Sequence, residues 1–151
     1  MTRRGGGRSK RTAITAIISL VAGIVAPASA GAVELSFIVE GVRNAMGRVN
    51  VYLCPEEEFL GEECPFRASV AANEGETSVV FVDVPPGLYG VQAFHDENEN
   101  TKMDRNFVGW PLEGFAFANN PEIFLRAPSF EASSIVIGEE NLEVRMMMQY
   151  R

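Results

Sequence analysis

The chain has 151 residues, with 20 Asp and Glu against 13 Lys and Arg, two Cys and one His. Five of the basic residues fall in residues 1–30; beyond them eight Lys and Arg face 20 acids, a net charge of −12 that argues against nucleic acid and against anionic membrane surfaces. The 121 positions from 31 to 151 are enough for one core and too few for two domains.

Residues 1–30 have the order of a secretory signal. Arg3, Arg4, Arg8, Lys10 and Arg11 form a basic head, Thr12 to Ala26 an apolar stretch, and Ala28-Ser29-Ala30 a small-residue cleavage site. The apolar stretch is short of the roughly 20 residues that span a bilayer, and Pro27 closes it, so no membrane span is expected. The domain is expected to be residues 31–151, periplasmic or secreted.

From Glu34 the pattern has period two: Leu35, Phe37 and Val39 alternate with Ser36 and Glu40, the mark of a half-buried strand. A turn over Gly41 to Gly47 leads to a second strand, where Val49, Val51 and Leu53 alternate with Arg48, Asn50 and Tyr52. Cys54 and Cys64 then bracket a compact acidic loop. In an exported chain two cysteines this close are expected to pair, and closing the loop contributes about 3 kcal/mol in the chain-entropy model. A redox or metal-binding pair is the alternative, but CxxC spacing and a neighbouring His are both missing.

Phe66, Ala68 and Val70 mark a third strand. Val79-Val80-Phe81-Val82 is apolar at successive positions, which predicts a fourth, central strand covered on both faces. Leu88 to Phe94 form a fifth strand behind the turn Pro85-Pro86-Gly87. Tyr89, just after that turn, resembles the corner tyrosine of immunoglobulin-like sandwiches, whose hydroxyl bonds backbone.

His95-Asp96-Glu97-Asn98-Glu99-Asn100-Thr101-Lys102-Met103-Asp104 is the most chemically loaded stretch. Asp96, Asn98, Asn100 and Asp104 stand at the first, third, fifth and ninth places of a calcium-loop count, and Lys102 offers its backbone carbonyl at the seventh. An ordinary EF-hand is excluded: the sixth place is Thr101 instead of Gly, the twelfth is Phe107 instead of Glu, and a strand precedes the loop instead of a helix. Glu113 is the nearest candidate for the missing bidentate ligand. The competing reading is a run of Asx-turns in which the same side chains bond their own backbone without metal. His95 shares the parity of Tyr89, Val91 and Ala93. Alone, it reads as a packed residue that hydrogen-bonds the loop; general-base or ligand-orienting roles are the alternatives.

Residues 106 to 128 show little periodicity, and a connection this long is usually functional or tied down. Phe107, Trp110, Phe115 and Phe117 either cap the end of the sandwich as satellite core or form a ligand-binding platform, with Trp110, Phe115 and Phe117 as the stacking residues. The chain returns to strands at Ile135 and Ile137 and at Leu142 to Tyr150, where Met146 and Met148 read as adaptable core.

The order Pro85-Pro86-Gly87-x-Tyr89, His95-Asp96-x-Asn98-x-Asn100, Asp104, Gly109-x-Pro111-x-Glu113-Gly114-x-x-Phe117 and Pro128-x-Phe130-x-x-Ala132 resembles the bacterial exported family catalogued as domain of unknown function 2141. The resemblance covers nearly all of the chain after the leader. It implies an exported, small all-β domain and no established activity. Thr101 departs from the family pattern, where Gly is usual.

The expected architecture is therefore all-β: a single antiparallel β-sandwich, immunoglobulin-like or transthyretin-like, of about seven strands, with a barrel as the alternative. The expected function is a non-enzymatic exported module whose loop binds Ca²⁺ and orders an aromatic surface for a carbohydrate, a peptide or an envelope protein. Two rivals stand beside it: a purely structural envelope domain without metal, and a hydrolase built from two of Asp96, Asp104 and Glu113.

Overall fold

In a computed structural model, the period-two stretches become eight strands: β1 (Glu34–Val42), β2 (Arg48–Cys54), β3 (Phe66–Ala71), β4 (Gly75–Val82), β5 (Gly87–Asp96), β6 (Gly114–Phe117), β7 (Ser134–Ile137) and β8 (Leu142–Met147). The structure describes residues 1–2, 33–61 and 63–151, so the expected leader lies outside the described residues apart from Met1 and Thr2. No helix among the described residues is long and apolar enough to cross a membrane.

Two sheets face each other. One has the order β4-β1-β8; the other has the order β3-β2-β5-β6, with β7 continuing the column of β6 along the same side of β5. Leu35, Phe37 and Val39 of β1 point inward against Val49, Val51 and Leu53 of β2 and Val91 of β5, all fully buried. Phe37 meets Phe81 edge to face at 5.5 Å. Met146 and Met148 join this core, as their alternation predicts, while Met147 stays exposed.

The fold differs from the sequence expectation at three places. β8 runs parallel to β1, from Leu35↔Leu142 to Glu40↔Met147, so the sandwich is mostly but not wholly antiparallel. Second, β6 adds a strand inside the stretch that reads as aperiodic; its signal is the small-aromatic alternation Gly114-Phe115-Ala116-Phe117. Third, β4 is an edge strand with one open face, and Val80 and Val82 are exposed. A run of four apolar residues predicts cover on both sides, but whether a second layer lies outside a sheet is decided by the rest of the chain.

The turn chemistry holds. The Tyr89 hydroxyl donates to the Pro85 carbonyl at 3.1 Å, as a corner tyrosine should. Cys54 and Cys64 are joined in a disulfide, and the loop between them lies over the outer face of the five-stranded sheet. There Phe59 packs edge to face on Phe117 and Phe130. Gly90 lies beneath this stack, and a Cβ there would come within 2.5 Å of the Phe59 ring.

Candidate functional site

β5 ends at Asp96, and the chain turns at once into the oxygen-rich loop. Gly47 makes this geometry possible: it takes φ +67°, and a side chain there would collide with the Asp96 carbonyl at 1.9 Å. Asp96 itself is buried. Its two carboxylate oxygens accept the backbone N–H of Asn100 at 3.0 Å and of Thr101 at 2.8 Å. The Asn98 side-chain oxygen also accepts the Asn100 N–H, and that of Asn100 accepts the Lys102 N–H at 2.9 Å. These are the consecutive Asx-turns that such residues favour.

Three of the four oxygen-bearing side chains bond one another directly, and Asp96 meets them at the Asn100 N–H that it shares with Asn98. The side-chain amides of Asn98 and Asn100 donate to the Asp104 carboxylate at 2.7 and 3.0 Å. Thr101, at the place where a calcium loop has Gly, adopts φ +65°, a left-handed conformation that costs a β-branched residue about 1–2 kcal/mol. The backbone thus makes the turn that the missing Gly would make freely.

Glu113 is buried and spans the two ends of the loop: one oxygen accepts the Glu97 N–H and the other the Asp104 N–H, both at 3.1 Å. Sequence reading offers Glu113 as a metal ligand; the structure shows it as a clamp on the loop backbone. Burial raises its pKa, with the nearby Asp96 and Asp104 adding to the rise against the two backbone bonds. Glu97 behaves oppositely. Arg43 and Asn44 bond its carboxylate and hold its pKa below the ordinary glutamate value.

His95 is fully buried, its ring nitrogens 2.8 Å from the Tyr150 hydroxyl and 2.6 Å from the Met46 carbonyl. Because a carbonyl only accepts, Nε2 must carry a proton; in the neutral ring Nδ1 then accepts from Tyr150, whose oxygen accepts the Arg43 N–H. The ring is packed as expected, but its partners are Met46 in the turn after β1 and Tyr150 near the end of the chain, where the sequence reading has it bond the acidic loop. Burial raises the Tyr150 pKa.

Beside the loop, on the outer face of the five-stranded sheet, lies a cavity of about 330 Å³. Its floor is Phe94, Phe115 and Phe117, with Tyr52 and Gln92; Phe115 and Phe117 are buried strand residues of β6. Thr101, Lys102 and Met103 of the loop form one wall, and Trp110 and Pro111 form part of another. The disulfide loop contributes Leu60 and Gly61, the latter held by the Gln92 side-chain amide at 3.0 Å. The loop is continuous with the Trp110 segment: the Leu112 N–H donates to the Asp104 carbonyl at 2.8 Å, and Arg105 bridges to Pro111.

The predicted aromatic trio is therefore brought together, on the sheet face and not at the end of the sandwich. Phe107 points away and is fully exposed. Sequence reasoning names Lys102 only for its backbone carbonyl and misses Arg105 and Arg126 as cavity residues, because no local motif joins the 102–105 stretch to residue 126. None of Asp96, Asp104 and Glu113 lines the cavity. Among the described residues no cluster of three His, Cys, Asp or Glu is placed to hold a metal; the loop's oxygen set depends on Asn98 and Asn100 as well as its acids.

A family model described as an uncharacterized protein conserved in bacteria, DUF2141, matches residues 38–145, from β1 into β8. The chain belongs to this family. In this DUF2141 chain the match takes in the acidic loop, the Glu113 clamp and the whole aromatic floor. No curated protein and no solved structure matches the chain.

Proposed function

We propose that this DUF2141 protein is an exported, non-catalytic binding module: the cavity on the outer sheet face takes the ligand, and the loop from Asp96 to Asp104 takes Ca²⁺ and stiffens the cavity wall. The observation that carries this reading is the cavity itself, floored by Phe94, Phe115 and Phe117 and walled by the same loop that gathers four oxygen-bearing side chains. Apolar concavities of about 300–1,000 Å³ with a few polar groups are the usual form of a small-ligand site. Export agrees with the Cys54–Cys64 disulfide, since such bonds persist in oxidising compartments.

Asp96, Asn98, Asn100 and Asp104 would supply side-chain oxygens and Lys102 its carbonyl, a hard-oxygen set suited to Ca²⁺. The ion takes over the charge of Asp104 that the amides of Asn98 and Asn100 now satisfy. By analogy with extracellular modules the affinity is about 10⁻⁴ to 10⁻³ M. A catalytic role for the carboxylates is disfavoured because Asp96, Asp104 and Glu113 all lie outside the lining of the cavity.

The test is thermal melting of the chain in EDTA and in Ca²⁺. At ten times Kd the ion should stabilise by about 1.4 kcal/mol, a shift of several degrees. Asp96→Asn with Asp104→Asn should remove the shift. Identical melting curves in EDTA and in 10 mM Ca²⁺ would leave the loop as a metal-free set of Asx-turns.

A further inference from the structure

The cavity carries a charge opposite to that of the domain around it. From residue 31 onward eight cationic side chains stand against 20 acids. Three of those eight, Lys102, Arg105 and Arg126, line the cavity, and no described Asp or Glu does. The other arginines are mostly committed elsewhere. Arg43 pairs with Glu97, Arg145 with Glu40, Glu76 and Glu143, and Arg48 bonds Ser69. Arg105 donates to the Gly109 carbonyl, which leaves its positive charge unneutralised, and Lys102 and Arg126 have no carboxylate partner among the described residues. Arg151 lies 5.5 Å over the face of Trp110, another cavity residue.

Three cations with no carboxylate partner among the described residues, set around an aromatic floor in a chain this acidic, make a site complementary to a molecule with an apolar body and an anionic head. The acidic exterior repels anions in general, so retention in the cavity requires both parts: apolar burial on Phe94, Phe115 and Phe117 and charge pairing at the rim. Carboxylates and phosphates are the head groups that Arg and Lys recognise by charge-assisted hydrogen bonds. We infer that the cavity binds a small amphipathic anion, with its hydrocarbon body on the floor of Phe94, Phe115 and Phe117 and its head between Lys102, Arg105 and Arg126. This deepens the proposed function and rests on the cavity being a ligand site.

Trp110 is the only tryptophan in the chain and lines the cavity, so its emission reports occupancy directly. The full chain is titrated with decanoate, decanol and decyltrimethylammonium, which share a body and differ in head charge. Decanoate should bind at least tenfold more tightly than decanol, its affinity should fall as salt is raised, and the cationic probe should not bind. Lys102→Gln, Arg105→Gln and Arg126→Gln together should erase the preference for the anionic head, so that decanoate binds no more tightly than decanol. Equal affinities for decanoate and decanol would overturn the assignment of an anionic ligand while leaving a neutral ligand site in place. Tightest binding of the cationic probe would overturn it too. If none of the three perturbs Trp110 or the melting temperature, the ligand-site reading falls with it.

Discussion

Glu113 is the residue on which the loop depends most. Its carboxylate oxygens are acceptors for two backbone N–H groups at opposite ends of the loop, and Glu113→Gln turns one of those oxygens into a donor facing a donor. Removing one partner of a buried hydrogen bond costs about 1–3 kcal/mol, so this variant should show a loss of that size in urea unfolding. Thr101→Gly acts the other way. It removes the strain of φ +65° at the cost of a more flexible unfolded chain, so stability should hold or rise by up to about 1 kcal/mol, and Ca²⁺ should bind more tightly in calorimetry. Weaker ion binding by Thr101→Gly would show that the threonine contributes something other than strain.

Glu97 sets an acid-side dependence whose sign follows from its lowered pKa. A carboxylate with a folded pKa below its unfolded value stabilises the fold fully above the unfolded value, near pH 4.3, and loses that contribution as the pH falls through the folded pKa. Arg43 is half exposed, so solvent screening keeps the contribution to about 1 kcal/mol or less. Glu97→Gln should lower stability by that amount at pH 7 and flatten the acid limb of a stability-against-pH curve. Glu113 has the opposite sign, since a raised folded pKa favours the fold at low pH and the benefit disappears as pH rises through that value.

Among the elements, the disulfide loop does more than close a short ring. It places Leu60 and Gly61 at the cavity and sets Phe59 on Phe117 and Phe130. Replacing Cys54 and Cys64 by Ser should cost about 3 kcal/mol and should also shift Trp110 emission, because one wall of the cavity loses its anchor. A drop in stability with unchanged emission would confine the bond to a stapling role. Most strands are legible in the chain because a sheet with one wet face imposes period two on its residues, as β3 and β8 show. β6 is hidden because both faces of its four residues are buried, and a four-residue run gives little periodicity to read. The openness of β4 and the parallel pairing of β8 with β1 are properties of how sheets are assembled, which local pattern does not encode.

At the scale of the molecule, the loop was the more legible half of the candidate site, since its spacing of Asp and Asn is sequential, and the structure does bring Asp96, Asn98, Asn100 and Asp104 together. The cavity was legible only in its aromatic residues. Its remaining walls come from the 60–61, 101–111 and 123–127 stretches, and no local pattern joins them. What links loop and cavity is a short physical path: the Glu113 clamp, the Leu112 bond to the Asp104 carbonyl, and the placement of Lys102 and Met103 in the wall.

Hydrogen exchange tests that link most directly, with amide protection compared in EDTA and in saturating Ca²⁺. Slower exchange in Ca²⁺ is predicted at Asn100, Thr101 and Lys102 within the loop and, through the Asp104–Leu112 connection, at Trp110 and Leu112 beside the cavity. Protection unchanged at all of these amides would contradict the claim that a cation gathered by the loop orders the binding surface.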